Sequence, residues 1–168
     1  PPAIVIVSSC PSGIIGDDID DALSLSTERT KIVTVKAEGN LTGDYLQGML
    51  MAYTSLAKQI IDRRAEKRER TVNIVFEKVV ARNTEMNFQR LKTFLARMNI
   101  SVNCRFLCNT SYASLRDFCS AELNLLAYRD YTGKILEDFF IKEYGASFFE
   151  KQFPIGFKET SDWLLALG

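Results

Sequence analysis

One cysteine stands where an open α/β sheet builds its sites. Cys10 follows the apolar run Ala3-Ile4-Val5-Ile6-Val7 and opens the stretch Cys10-Pro11-Ser12-Gly13-Ile14-Ile15-Gly16-Asp17-Asp18-Ile19. The order reads as a buried-type strand, a glycine-containing turn and an acidic helix start, which puts one sulfur at the carboxyl end of a strand. A helix N-terminus nearby favours the thiolate, the metal-binding form. Pro11 stiffens the strand exit. Gly13 and Gly16 permit a positive φ or a close backbone approach. Asp17 and Asp18 read most simply as helix-start residues rather than catalytic carboxylates. The competing reading of Cys10 is structural, since a free cysteine at a strand end is commonly buried and inert. One thiolate is also too few for an iron–sulfur cluster, which needs four thiolates or equivalents. A ligand role for Cys10 therefore requires partners elsewhere.

Other reactive residues are few. The sequence contains no histidine, which removes His-based acid–base catalysis, Ser-His and Cys-His nucleophile pairs, and His-containing zinc sites. Cys104, Cys108 and Cys119 lack CxxC spacing, and the context reads as cytoplasmic, so disulfides are not expected. On a continuous strand over 100–107, Cys104 and Cys108 would share a face at about 13 Å, too far for one mononuclear site. They read as structural thiols, with a second metal site as the alternative. Tyr128, Arg129 and Asp130 end a predicted strand. They either line a cleft, with Arg129 binding a carboxylate, or form an Arg–Asp pair in a loop. The mixed-charge run Asp62 to Arg70 reads as a solvated helix end or exposed connection, and its acidic residues argue against a nucleic-acid patch.

The elements that must position these residues alternate. Strands are expected at Ala3 to Val7, Lys31 to Lys36, Val72 to Phe76, Ile100 to Leu107 and Leu123 to Ala127. Helices are expected at Ile14 to Leu25, after Asp44, from Asn83 or Thr84, at Ser111 to Ser120, at Thr132 to Tyr144 and within Ile155 to Leu167. Glu38 to Gly43 reads as a loop and Phe148 to Phe153 as extended chain. Phe139, Phe140, Phe148, Phe149 and Trp163 read as core or interface aromatics. This pattern implies right-handed βαβ crossovers: an α/β fold with a doubly wound, mostly parallel sheet flanked by helices, Rossmann-like or flavodoxin-like in three layers. At 168 residues with 46% hydrophobic content, one domain with a sizeable core is expected. Lysine plus arginine equals aspartate plus glutamate at 21 each, so charge points to neither nucleic acid nor an anionic membrane. No apolar stretch approaches the ~20 residues of a spanning helix. Pro1-Pro2-Ala3 has no basic n-region, so no signal peptide is expected, and it reads as the edge of a larger chain. No dinucleotide fingerprint or Walker A pattern follows any expected strand.

The Cys10 stretch resembles the Cys-Pro-x-Gly-x-Ile-Gly-Asp-Asp cysteine motif of nitrogenase component 1 proteins. Further segments in the same order also resemble that family: Val35-Lys36-Ala37-Glu38-Gly39 with Gly48, Leu123-Asn124-Leu125-Leu126, and Phe153-Pro154-Ile155-Gly156 with Thr160 and Trp163-Leu164. The resemblance implies that residues 1–168 are the central domain of a three-domain subunit. It implies Cys10 as an iron–sulfur ligand at an interface, with Gly13 and Gly16 shaping the cofactor-binding turn. It also implies a homologous partner subunit and an ATP-dependent iron–sulfur reductase as electron donor. The departures are equally specific. Ala127-Tyr128-Arg129 stands where catalytic α subunits of nitrogenase carry the cofactor cysteine. Met49 or Leu50 replaces a histidine that supports the cofactor, and Ala37 replaces a cysteine. No molybdenum–iron cofactor is expected. The expectation is a nitrogenase-like electron-transfer oxidoreductase domain, inactive alone, with a non-catalytic cofactor-assembly scaffold that binds a precursor cluster as the alternative. A third reading is a flavodoxin-like sensor domain carrying a chance motif. No catalytic residue, nucleic acid or membrane contact is assigned.

Overall fold

The computed structural model describes residues 1–8, 10–16, 18–37 and 43–168. The chain divides into two compact units, Pro1–Ile61 and Asp62–Gly168. All strand pairings among the described residues are parallel, as expected where helices make the crossovers.

In the first unit, β1 (Ala3–Ser8) pairs with β2 (Lys31–Lys36). Between them lie a six-residue helix, α1 (Cys10–Ile15), and a 3-10 helix, Ile19–Leu25. The single helix expected over Ile14 to Leu25 is thus replaced by two short ones. Gly16 at φ +77 ends the first, a left-handed step that glycine takes without a Cβ clash. Asp18 then starts the second, accepting from the Asp20 amide at 3.0 Å. Ile15 and Leu23 consequently face solvent rather than a shared inner stripe. Asp17, and Glu38 to Thr42 of the expected loop, lie outside the described residues. The helix expected after Asp44 is α2 (Tyr45–Ile60), whose N-terminus Asp44 caps through the Gln47 amide at 2.9 Å. It packs on β2, burying Ala57 and Ile60 in the unit that also buries Ile32, Val33 and Val35.

The second unit carries a three-stranded sheet in the order β4-β3-β5. Its strands are β3 (Arg68–Val75), β4 (Ser101–Arg105) and β5 (Ala121–Leu126). Helices α3 (Thr84–Arg97), α4 (Tyr112–Arg116), α5 (Tyr131–Tyr144) and α6 (Phe157–Leu167) surround it. Alternation along β3 splits the core into two faces. Val72 and Ile74 join Phe88, Leu91, Leu95, Leu125, Phe149 and Trp163. Asn73 turns to the opposite side, toward the Phe118 carbonyl. Phe118 there stacks on Phe140 at 4.7 Å, and Phe106 meets both rings edge-on. Parallel sheets flanked by helices are the expected fold class.

Four local expectations change. The run Asp62 to Arg70 is partly connection, but its last three residues open β3. Residues 100–107 do not stay extended, because the strand stops at Arg105 and Leu107 takes φ +57. Ser111 to Ser120 divides into α4 and a 3-10 helix, Asp117–Ser120. Of Phe148 to Phe153, only Phe148 bridges to a strand, at Asn124. At the start of α5 a Cβ on Gly133 would lie 2.0 Å from the Tyr128 carbonyl oxygen, so the helix approaches the end of β5 only because glycine stands there.

Candidate functional site

Cys10 is the first residue of α1, two positions past the end of β1, and its thiol is free and half-buried. The chain therefore places it at the carboxyl end of a strand, and it begins the helix rather than preceding a turn. Gly13 lies inside α1, where its carbonyl accepts from the Gly16 amide at 3.4 Å. Gly16 has open space where a Cβ would sit, so its role is the left-handed step and not a close approach. Beyond the loop, Asp20 is tied to Lys36 at 2.7 Å and accepts from the Thr34 hydroxyl at 2.8 Å. The Lys36 ammonium, then that hydroxyl, hold the Asp20 carboxyl below its ordinary pKa. Asp18 and Asp20 thus tie the 3-10 helix to Lys36 at the end of β2.

The other thiols lie in the second unit and are chemically different. Cys104 is buried, 3.6 Å from the Thr110 hydroxyl, and burial pushes its thiol up to about 11. Cys108 is also buried, and desolvation followed by the Glu77 charge raises its pKa despite Arg105. Desolvation raises Cys119 as well. Among the described residues no group of three or more His, Cys, Asp or Glu could hold a metal. A thiolate-bound cluster would therefore need ligands beyond the described residues.

Arg129 departs from the expected Arg–Asp pair. It bonds Glu137 at 2.5 Å and the Phe149 carbonyl at 3.2 Å. Asp130 instead caps α5 through the Gly133 amide at 3.0 Å and faces Lys78 at 3.6 Å. Lys78 lies 4.5 Å from the centre of the Tyr128 ring. Ala127, which follows the end of β5, is 2% exposed and donates its amide to the Val75 carbonyl at 2.9 Å.

Two polar constructions were not foreseen from the sequence. Arg105, at the last position of β4, is held by Glu77 through two bonds of 2.8 and 2.9 Å. It also reaches Glu85 at 2.7 Å and Cys108 at 3.3 Å, and lies over the Phe88 ring at 3.7 Å. The second is an amide ladder. Asn73 donates to the Phe118 carbonyl and to Asn124 Oδ1, both at 2.8 Å, and accepts from Asn103 at 2.9 Å. One asparagine inside each of three apolar strand runs was the available signal. The Arg105 pairing leaves no periodic trace, because Glu77 and Glu85 sit in a loop and a helix start.

A pocket of about 310 Å³ opens beside Arg105, lined by Arg82, Glu85, Cys108 and Asn109 among others. It lies beyond the ends of β3 and β4, where α/β sheets open their crevices.

Comparison with known proteins agrees with this architecture. A subunit of the light-independent protochlorophyllide reductase of Heliobacterium modesticaldum is 24% identical over 169 residues, covering 100% of this chain and 32% of that protein. The corresponding protochlorophyllide reductase polypeptide from Picosynechococcus sp. is 27% identical over 156 residues, covering 86% and 31%. The chain therefore spans about a third of the length of the curated relatives it matches. A solved structure of nitrogenase Cp1 at pH 6.5 superposes with a TM-score of 0.78 at 22% identity, over 96% of this chain and 31% of that one. The family profile of nitrogenase component 1 type oxidoreductases matches residues 1–168, and the chain belongs to that family.

Proposed function

We propose that residues 1–168 act as the central α/β domain of a three-domain subunit in a nitrogenase-like oxidoreductase. In this reading Cys10 contributes one thiolate to an iron–sulfur cluster completed by another domain or a homologous partner subunit. The observation that supports it is the placement of Cys10, a free, half-buried thiol two residues past the end of β1 and at the first position of α1. A bound cluster would supply one-electron transfer, fed by an ATP-dependent iron–sulfur reductase. The chain's own part is to hold the sulfur. β1 fixes the approach, α1 begins at Cys10, and Gly16 turns the chain away so that Asp18 can restart it. The relatives' name puts tetrapyrroles first among substrate classes to try.

A cofactor-assembly scaffold is the second reading. It is favoured by Ala127-Tyr128-Arg129, which by resemblance stands where catalytic α subunits of nitrogenase carry a cofactor cysteine.

Iron and acid-labile sulfide per protomer test the ligand assignment, measured anaerobically on the parent protein with its partner, alongside Cys10→Ala. Loss of both in the variant, with an unchanged circular dichroism spectrum, is the expected result. Equal metal in the two proteins, or none in either, would return Cys10 to a structural role. Substrate turnover against transfer of the cluster to an apo-protein then separates reductase from scaffold.

A further inference from the structure

Both ends of the Cys10 turn are fastened to one residue. On the entry side, Ser8 ends β1 in parallel register with Lys36, the last residue of β2. On the exit side, the Lys36 ammonium lies 2.7 Å from Asp20 and 3.5 Å from Asp18, the cap that opens the 3-10 helix. Cys10 stands in the chain between these two fastenings. The carboxylates are themselves fixed. Asp18 accepts from the Asp20 amide at 3.0 Å, and Asp20 accepts from the Thr34 hydroxyl of β2 at 2.8 Å. The turn needs such support. α1 has six residues and buries none of them in this unit, and a helix that short is not stable by itself.

Resting on the reading of Cys10 as a cluster ligand, we propose that Lys36 is the positioning residue for the Cys10 sulfur. Its backbone sets where the chain enters the turn, and its ammonium sets where the chain leaves it. That ammonium is engaged by two carboxylates, so its part is to place the sulfur rather than to neutralise a thiolate. Exposed ion pairs are individually weak, worth about fivefold at most in an equilibrium, which sets the size of the expected effect.

Iodoacetamide labelling of the metal-free parent protein, read by mass spectrometry at each cysteine, measures the freedom of the turn. Cys10 should label about three- to fivefold faster in Lys36→Met. Lys36→Arg, which keeps the cation, should label at the parent rate. Asp20→Asn should accelerate labelling as Lys36→Met does, and the double variant should add little, because the two changes break one contact. Half-buried Cys119, in the second unit, should label at one rate throughout. Unchanged labelling of Cys10 in Lys36→Met overturns the proposal, as does equal acceleration in Lys36→Arg or at Cys119. Slower labelling also overturns it, since the ammonium would then act on the thiolate charge. These rates are read without metal and judge the tether. Iron retained by the Cys10→Ala parent would instead refute the ligand reading and leave the labelling result standing.

Discussion

Single residues here divide by whether burial or solvent sets their charge. Glu85 is the clearest case at the exposed end. The Arg105 guanidinium, then Gln89 and Asn109, hold its carboxyl at about 2, below the ordinary 4.5. A carboxyl depressed in the folded state contributes stability that is complete above the unfolded value and lost as pH falls toward the folded one. Acid destabilisation between about pH 4.5 and 2 should therefore weaken in Glu85→Gln, read as a flatter dependence of the urea midpoint on pH. An equal slope in the two proteins would remove Glu85 from the acid response. Cys104 works in the opposite sense. Its raised thiol pKa makes the folded state hold its proton above the point where the unfolded chain releases it, so stability falls as pH rises from about 9 toward 11. Cys104→Ala should remove that alkaline component from the same curves.

At the scale of elements, the amide ladder Asn103–Asn73–Asn124 ties the strands of the second unit together across their shared face. Asn73 is fully buried, and its side chain is the central member. Removing it leaves neighbouring amides without partners in a low-dielectric core, where each unsatisfied group costs about 1–3 kcal/mol. Asn73→Ala should cost about 3 kcal/mol in urea unfolding. Adding Asn124→Ala should cost less than the sum of the single changes, because the two share one network. Additive losses would show that the asparagines act separately. The strand pattern legible in apolar runs located the five strands seen among the described residues, but it passed over these asparagines. Periodicity registers which face a residue takes, not which partner waits there.

The two units differ in how much core each builds. The second buries Trp163, Phe118, Phe140, Leu125 and Leu136 almost completely between helices and a three-stranded sheet. The first rests on a two-stranded sheet with one apolar edge strand in solvent. Local opening follows buried contact. Native-state hydrogen exchange of the 168-residue chain should therefore give the slowest amides in β3 and β5, at Ile74 and Leu125, and much faster ones in β2, at Val33 and Val35. Equal protection in both sheets would contradict the difference in core size. Among the described residues no helix is long and apolar enough to cross a membrane.

By itself the sequence determined the alternation of strands and helices, the parallel α/β class, the cap at Asp44, the stop at Gly145, and Cys10 beyond a strand end. These are local matters: side-chain period, a capping oxygen, a glycine free to take a left-handed turn. Tertiary structure alone decided that Gly16 and Asp18 divide the expected first helix in two. It decided that Arg129 pairs with Glu137 rather than Asp130, and that Arg105 joins β4 to Glu77 and Glu85. It also decided that the Lys36 ammonium meets both Asp18 and Asp20. Most of these depend on residues far apart in the chain meeting in space. Hydrogen-bond partners and desolvation are set by that meeting, and neither composition nor spacing carries it.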